Sequence, residues 1–407
     1  MMMKRMMMSG VFALMSSAAW AGCAFENTVP LKSLTAGFEA WKSATSAMAE
    51  CGNFQAELDQ EFRTKQAAAF AANPSLYQIG GVANETIVPL LNAGTIRPLD
   101  DLVAKYGQNL QPNQLIKFDG KTMAIAMMVN TQHLMYRADI LKDLGIEVPT
   151  TYDEVLAAAE KIKAAGVVAY PLGGTYKAGW NLAEEFVNMY LGGMGASFTD
   201  ADGNPTVNNE KGVKALETMK ALTAYMDPEY LTSDSTFVQQ QFQQGKIAMA
   251  NFWASRGGAM DDPAESQVVD KVNGAVAPLA MEGGTPATTL WWDGIVIAQN
   301  ISDEEADAAF RVAMEGLDTE MVTAHNNDAI WLIKGYTPGR LAEGAIATAT
   351  HVPPPPSYPS TTSQGLMQAA LGNQLAAYFT GEKSAEETLA AVEADYTTAA
   401  KEAGLLK

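Results

Sequence analysis

Motifs that carry chemistry are scarce in this chain of 407 residues, which holds only two cysteines and three histidines. His133, His325 and His351 stand apart from one another. No His-x-x-x-His or Cys-x-x-Cys spacing occurs, so no metal site follows from spacing. A Gly-x-Ser-x-Gly elbow and a phosphate-cradling glycine loop are also missing. Glycosidase carboxylates lie far apart in sequence, so a carbohydrate enzyme is disfavoured rather than excluded. No catalytic residue, metal or cofactor is assigned. Basic residues are few, 27 against 46 acidic, for a net charge of −19. Such a surface repels nucleic acid and anionic membranes, which excludes both as partners. The acidity is spread without a long block, so no acidic tail is indicated. Beyond the first twenty residues no stretch reaches the ~18–20 apolar residues of a membrane span.

The N-terminus reads as an export signal. Lys4 and Arg5 form its positive end, Met6 to Trp20 a short apolar run, and Ala19-Trp20-Ala21 the small-x-small cleavage pattern. Cleavage after Ala21 leaves 25 basic and 46 acidic residues, a net −21. Cys23 and Cys51 then lie early in the mature chain, natural disulfide partners in an oxidising compartment. A second reading is a lipid anchor at Cys23, since Trp20-Ala21-Gly22-Cys23 resembles a lipoprotein box with Trp where Leu is usual. That would leave Cys51 unpaired.

At ~100–200 residues per domain the length predicts two or three domains. Strand and helix patterns alternate through the first half, which predicts parallel sheet with helices on both faces. Strands are expected at 29–34, 53–59, 76–79, 122–129, 246–251 and 290–298. Gly80-Gly81 is expected to follow the third of these. Helices are expected at 36–50, 61–72, 85–92, 153–165, 181–191, 210–225, 235–244, 302–317, 363–380 and 385–403. Phe118-Asp119-Gly120-Lys121 reads as a hairpin turn. Asp200, Asp202 and Asn204 alternate as calcium ligands do, but Lys211 stands where a bidentate Glu is needed, so a polar turn is preferred. Pro353 to Pro356 forms a stiff segment.

Six tryptophans remain outside the signal, several beside loops and glycines: Trp41, Trp180, Trp253, Trp291, Trp292 and Trp331. A flat ring can cover the C–H face of a sugar while a few polar groups meet its hydroxyls. About half should be core. Trp41, at helical spacing with Phe38, is the clearest core candidate. Trp291 and Trp292 point to opposite faces of a strand, so one of them can face a cleft.

Several segments together resemble the solute-binding proteins of ABC importers, specifically the carbohydrate-binding family that includes maltose-binding protein. They are Asp119-Gly120-Lys121-x-x-Ala124-Ile125-Ala126 running on to Val129-Asn130 and Met135-Tyr136-Arg137-x-Asp139-Ile140-Leu141, then Pro149-Thr150-Thr151-Tyr152-Asp153-Glu154, then Phe242-x-x-Gly245-Lys246-x-Ala248-Met249 leading to Trp253. The resemblance covers nearly the whole mature chain. It implies an α/β, two-lobed periplasmic-binding-protein fold of type II with a ligand cleft between the lobes. Lobe 1 would comprise 22–128 plus 282–330, and lobe 2 would comprise 129–281 plus 331–407. It further implies a periplasmic monomer that closes about a hinge on a sugar or polyol and delivers it to an ABC importer's membrane subunits. By position, Asn130 falls near the hinge, where the maltose receptor has an acid. Asn84 falls where the first lobe meets ligand hydroxyls, Trp253 on a stacking aromatic of the second lobe, and Trp180 near another. Asn130, neutral, and the Trp291-Trp292-Asp293 cluster depart from maltose-binding protein; Trp292 and Asp293 join the candidate site, as does Arg256. Asp59, Glu39 and Tyr77 rank behind them. The alternatives are a non-carbohydrate solute on the same scaffold and a secreted glycoside-active enzyme.

Overall fold

The computed structural model describes residues 22–281 and 283–407; the export signal read over 1–21 lies outside them. Eleven strands among these residues form two sheets. The first sheet is built from β1 (Leu31–Thr35), β2 (Phe54–Leu58), β3 (Ile79–Ala83), β4 (Leu115–Phe118) and β5 (Lys121–Asn130). The second contains β6 (Gln132–Arg137), β7 (Tyr170–Leu172), β8 (Ile247–Trp253) and β9 (Val272–Ala275). The chain then returns to the first sheet with β10 (Trp291–Ile297) and β11 (Ile330–Trp331). The first sheet runs β11-β5-β10-β3-β1-β2 with β4 on β5, and the second runs β7-β8-β6-β9. β1, β2 and β3 pair in parallel through helical crossovers, while β10 lies antiparallel between β3 and β5.

Local sequence explains most of the boundaries. Helix Tyr152–Ala165 opens with a Thr151–Glu154 capping box and stops at Gly166, which takes the left-handed conformation at φ 64°. Ser302 and Glu305 box the start of helix Asp303–Glu315, and Ser384 and Glu387 that of Ala385–Glu402. The strand expected at 76–79 instead begins at Ile79 and runs through both glycines. Contact across the sheet explains this correction. A Cβ on Gly80 would lie 2.6 Å from Phe70, and one on Gly81 2.9 Å from Trp41. These glycines let helices press onto the strand, so they are packing residues rather than a turn. Asp200 accepts from the Asp202 and Asn204 amides and holds a polar turn. Cys23 and Cys51 form a disulfide, which leaves no free thiol at Cys23 for a lipid anchor.

The chain passes between the sheets at three places that lie together. The step from β5 to β6 runs through Thr131, whose hydroxyl meets Thr288 Oγ1 at 2.9 Å and the Thr289 carbonyl at 3.2 Å. The return through 288–290 therefore runs hydrogen-bonded beside the first crossing. After β11, Leu332 N still bonds Met127 O, and the chain then rejoins the second sheet through helix Glu343–Ala349. A π-helical turn, Asn188–Gly193, lies under the return strand. A Cβ on Gly192 would fall 2.2 Å from the Thr288 carbonyl oxygen, so helix and strand are flush there. π-turns of this kind recur at functional sites.

His133, on β6, is fully buried, and neither ring nitrogen has a hydrogen-bond partner. Gly274 and Gly344 make its room: a Cβ on Gly344 would approach His133 Cδ2 to 2.6 Å. Burial alone holds this imidazole down at about 4, against 6.5 for a free one. As pH falls through 6.5 the unfolded chain takes up a proton that the native ring refuses until about 4, so native stability is lost across that window. The expected loss is about 3 kcal/mol by pH 4. Urea unfolding of wild type and His133→Phe from pH 7 to 4 should give diverging profiles, with wild type falling more steeply. Parallel profiles would show that the ring protonates inside the fold.

Candidate functional site

Beside the crossings lies a cleft of about 460 Å³ between the lobes, which Asn130 of the first crossing lines. Strand parity sets part of its wall. Trp291 and Asp293, two residues apart on β10, both line it. Trp292 lies between them on the other face, packed with the cluster of Val82, Met123 and Val296. Trp253 ends β8, paired with Gln132 of β6. Trp180 opens helix Trp180–Val187 after Gly179, whose φ of 95° only glycine adopts readily.

Trp291 holds this wall together. Its ring meets Trp180 edge-on at 6.2 Å and Trp253 at 5.9 Å, and lies 4.0 Å from Tyr358. Edge-to-face pairs add about 0.5–1.5 kcal/mol beyond burial. Its indole N–H donates to Thr289 Oγ1 at 2.9 Å, and that hydroxyl donates to Asn188 Oδ1 at 2.7 Å. The aromatic wall is thus tied to the return crossing and the π-turn.

Charged groups line the rest. Arg63 lies over Trp180 at 4.5 Å and 3.7 Å from Glu85, while the Trp180 N–H donates to Glu85 at 2.8 Å. Trp180 belongs to the second lobe and the other two to the first, so this cluster spans the cleft. Burial raises the Glu85 carboxyl, opposed by Arg63 and the Trp180 hydrogen bond. Burial also pushes Asp293 up to about 7, opposed by Arg63 and by a Trp41 hydrogen bond. Lys177 pairs with Asp234 at 3.6 Å. Arg256 donates to Gln239 at 3.0 Å and faces Phe38 of the other lobe at 5.9 Å; burial lowers its pKa.

Five of the residues expected from sequence therefore meet in one cleft: Asn130, Trp180, Trp253, Arg256 and Asp293. Asn130 is largely committed there, since its Oδ1 accepts from Thr131 N and Ser255 N and its Nδ2 donates to Ser255 Oγ. It pins the β5 end to the loop after β8. Asn84 is corrected to a structural role: its Oδ1 accepts from Trp292 N, and its Nδ2 donates to Tyr358 O. Trp292 is corrected to the opposite face of the sheet. Glu39 pairs with exposed Lys42, Asp59 with Lys65, and Tyr77 donates to Glu57; none lines the cleft. Sequence reasoning missed Trp291, Arg63 and Glu85. Parity pointed to the first, because a strand that turns Asp293 into a cleft also turns Trp291 there. Nothing local marked the other two. Cys23, Cys51 and Glu315 form the single metal-like cluster among the described residues, and two of them are in the disulfide.

The model of the bacterial extracellular solute-binding protein family matches residues 53–314. A probable ABC transporter-binding protein of Deinococcus radiodurans is 28% identical over 283 residues, 66% of each chain. A probable sugar-binding periplasmic protein of Mesorhizobium japonicum is 23% identical over 63% of this chain and 60% of its own. The match thus spans about 60–66% of the length of these two relatives. Among solved structures, an ABC transporter solute-binding protein of Agrobacterium radiobacter, in complex with ribitol, superposes with a TM-score of 0.80 at 20% identity over 92% of this chain and 99% of that one. One from Agrobacterium vitis with bound D-mannitol gives 0.77 at 20% over the same shares. At that identity the likeness establishes the fold: two α/β lobes of the type II periplasmic-binding-protein class with a cleft between them.

Behind the cleft, Glu184 and Glu185 are buried side by side on the Trp180 helix. Burial raises Glu184 well above the ordinary carboxyl range, helped by Glu85 and Glu185. Glu185 accepts from Gln132 Nε2 at 2.8 Å and from Thr175 Oγ1, both on one oxygen, beside a cavity of about 30 Å³. Burial still pushes it up to about 7 from 4.5. The unfolded carboxyl loses its proton above 4.5 and the native one only near 7, so stability falls as pH rises across that interval. A glutamine keeps the accepting oxygen without the charge. Glu185→Gln should match wild type at pH 4 and exceed it by about 3 kcal/mol at pH 8 in urea unfolding. A variant weaker at pH 8 would show that the fold uses the ionised carboxylate.

Proposed function

The chain belongs to the bacterial extracellular solute-binding protein family, and we propose that it captures a sugar or sugar alcohol in the periplasm and hands it to the membrane subunits of an ABC importer. The observation that carries this reading is the wall in which Trp291 packs against both Trp180 and Trp253, shared between both lobes, with Asp293, Glu85 and Arg63 beside it. Flat rings fit the C–H faces of a carbohydrate, and the charged groups fit its hydroxyls. The moving bodies are the two sheet lobes, hinged at 130–132, at 288–290 and after 331. A ligand that touches both walls binds the closed arrangement better and shifts the population by that difference. The solutes named for the relatives, a sugar, ribitol and mannitol, support the class. Binding needs no bond to break. Two carboxyls with raised pKa in one cleft do raise hydrolysis as a rival reading.

A thermal-shift screen over monosaccharides, disaccharides and sugar alcohols tests the proposal. A true ligand at 100 times its Kd should add about 2.7 kcal/mol of stability. Trp180→Ala should weaken that ligand about tenfold or more while moving the ligand-free melting temperature little. A flat response to every carbohydrate, or release of nitrophenol from nitrophenyl glycosides, would overturn the reading.

A further inference from the structure

We propose that the ligand is a dipolar polyol, a sugar or sugar alcohol bearing both an ammonium group and a carboxylate, as a sugar conjugated to an amino acid does. This rests on the capture function above and narrows it. The ground is how the charges of the cleft pair off. Glu85 has Arg63 at 3.7 Å, and Asp234 has Lys177 at 3.6 Å. Of the others, Glu61 is exposed to solvent, while Asp293 and Arg256 are partly buried and remain unpaired among the described residues.

Asp293 stands on the central strand of the first lobe and has no ion pair within 4.0 Å among the described residues. The positive charge it feels is Arg63, already engaged by Glu85 and Trp180. Its register partner on β3 is Ala83, which lines the same cleft with Ala36, so small side chains leave room in front of the carboxyl. Arg256 lies on the other lobe. Its hydrogen-bond partner Gln239 is neutral, and Phe38 offers a ring but no counter-charge. Asp234 and Glu39 attract it from a distance, but each has its own lysine, Lys177 and Lys42.

A partly buried carboxyl and a partly buried guanidinium thus face one cavity from opposite lobes without meeting. Charges removed from water without partners are unfavourable, and a ligand that brings both complements relieves both at once. The ammonium belongs at Asp293, beside Trp291 on the same face of the strand. The carboxylate belongs at Arg256, whose planar fork suits it. Because the two groups sit on different lobes, a dipolar solute favours closure through both ends, and a singly charged one through only one.

Isothermal titration calorimetry at pH 7 with fructose, glucosamine, gluconate, fructosylglycine and glycine decides it. Fructosylglycine should bind at least about tenfold tighter than fructose, with glucosamine and gluconate between them. Asp293→Asn should abolish the advantage of glucosamine over fructose and spare that of gluconate. Arg256→Gln should do the reverse, with circular dichroism confirming that both variants are folded. If fructose, glucosamine, gluconate and fructosylglycine bind alike, or the preferences survive both substitutions, the dipolar assignment falls and sugar capture stands. Binding of glycine without any carbohydrate would overturn sugar capture itself.

Discussion

Hydroxyl-to-hydroxyl contact between Thr131 and Thr288 is the constraint on which the rest of this molecule depends. It joins two chain segments that run in opposite directions between the lobes, at the one level where neither sheet supplies backbone partners for both. Thr289 extends the joint by one residue, giving its amide and hydroxyl to Asn188 and receiving the Trp291 indole N–H. The crossing, the π-turn and the aromatic wall are therefore one hydrogen-bonded unit. Such buried networks are valuable only when their members are satisfied. Here Glu184 Oε2 and Asn188 Nδ2 are left without partners beside the wall.

Those gaps fit the electrostatic character of the cleft and the layer behind it. Glu85, Glu184, Glu185 and Asp293 all have carboxyls raised by burial, and Glu85 and Glu185 raise Glu184 further. Arg63 is the cation that opposes this at Glu85, Glu184 and Asp293. One guanidinium thus tempers three acids in two lobes and also lies on an aromatic ring. A protein tuned only for stability would not collect acids in this way, because apolar residues of like volume serve a core as well or better. Their presence in and behind the cleft fits the capture of polar solutes proposed above.

Much of this was legible in the sequence because the signals were local. The helices expected from 153, 302 and 385 begin within one residue of those positions, and alternation of strand and helix gave the α/β class. Asn130, Trp180, Trp253, Arg256 and Asp293 were picked out by ordered resemblance and by aromatics next to turns, and they do meet. Gly80 and Gly81 misled because glycine punctuates turns and also admits close packing, and only Phe70 and Trp41, distant in sequence, decide between the two. Asn84 misled for a similar reason: its partners, Trp292 N and Tyr358 O, lie more than two hundred residues away. Arg63 and Glu85 are ordinary charges near helix starts until the second lobe brings Trp180 between them.

The flush contact of Gly192 with the Thr288 carbonyl fixes the kind of movement available. With no side chain between helix and return segment, and a hydroxyl joint to the first crossing, the return segment has no space to slide. It behaves as a torsion bar, and the change between apart and together is spread over the backbone dihedrals of a few adjacent residues. The two states then differ by an angle rather than by a displacement. In the capture proposed above, a membrane subunit would read the relative tilt of two rigid faces, which a solute in the cleft would set with short leverage and the far rims would report with long.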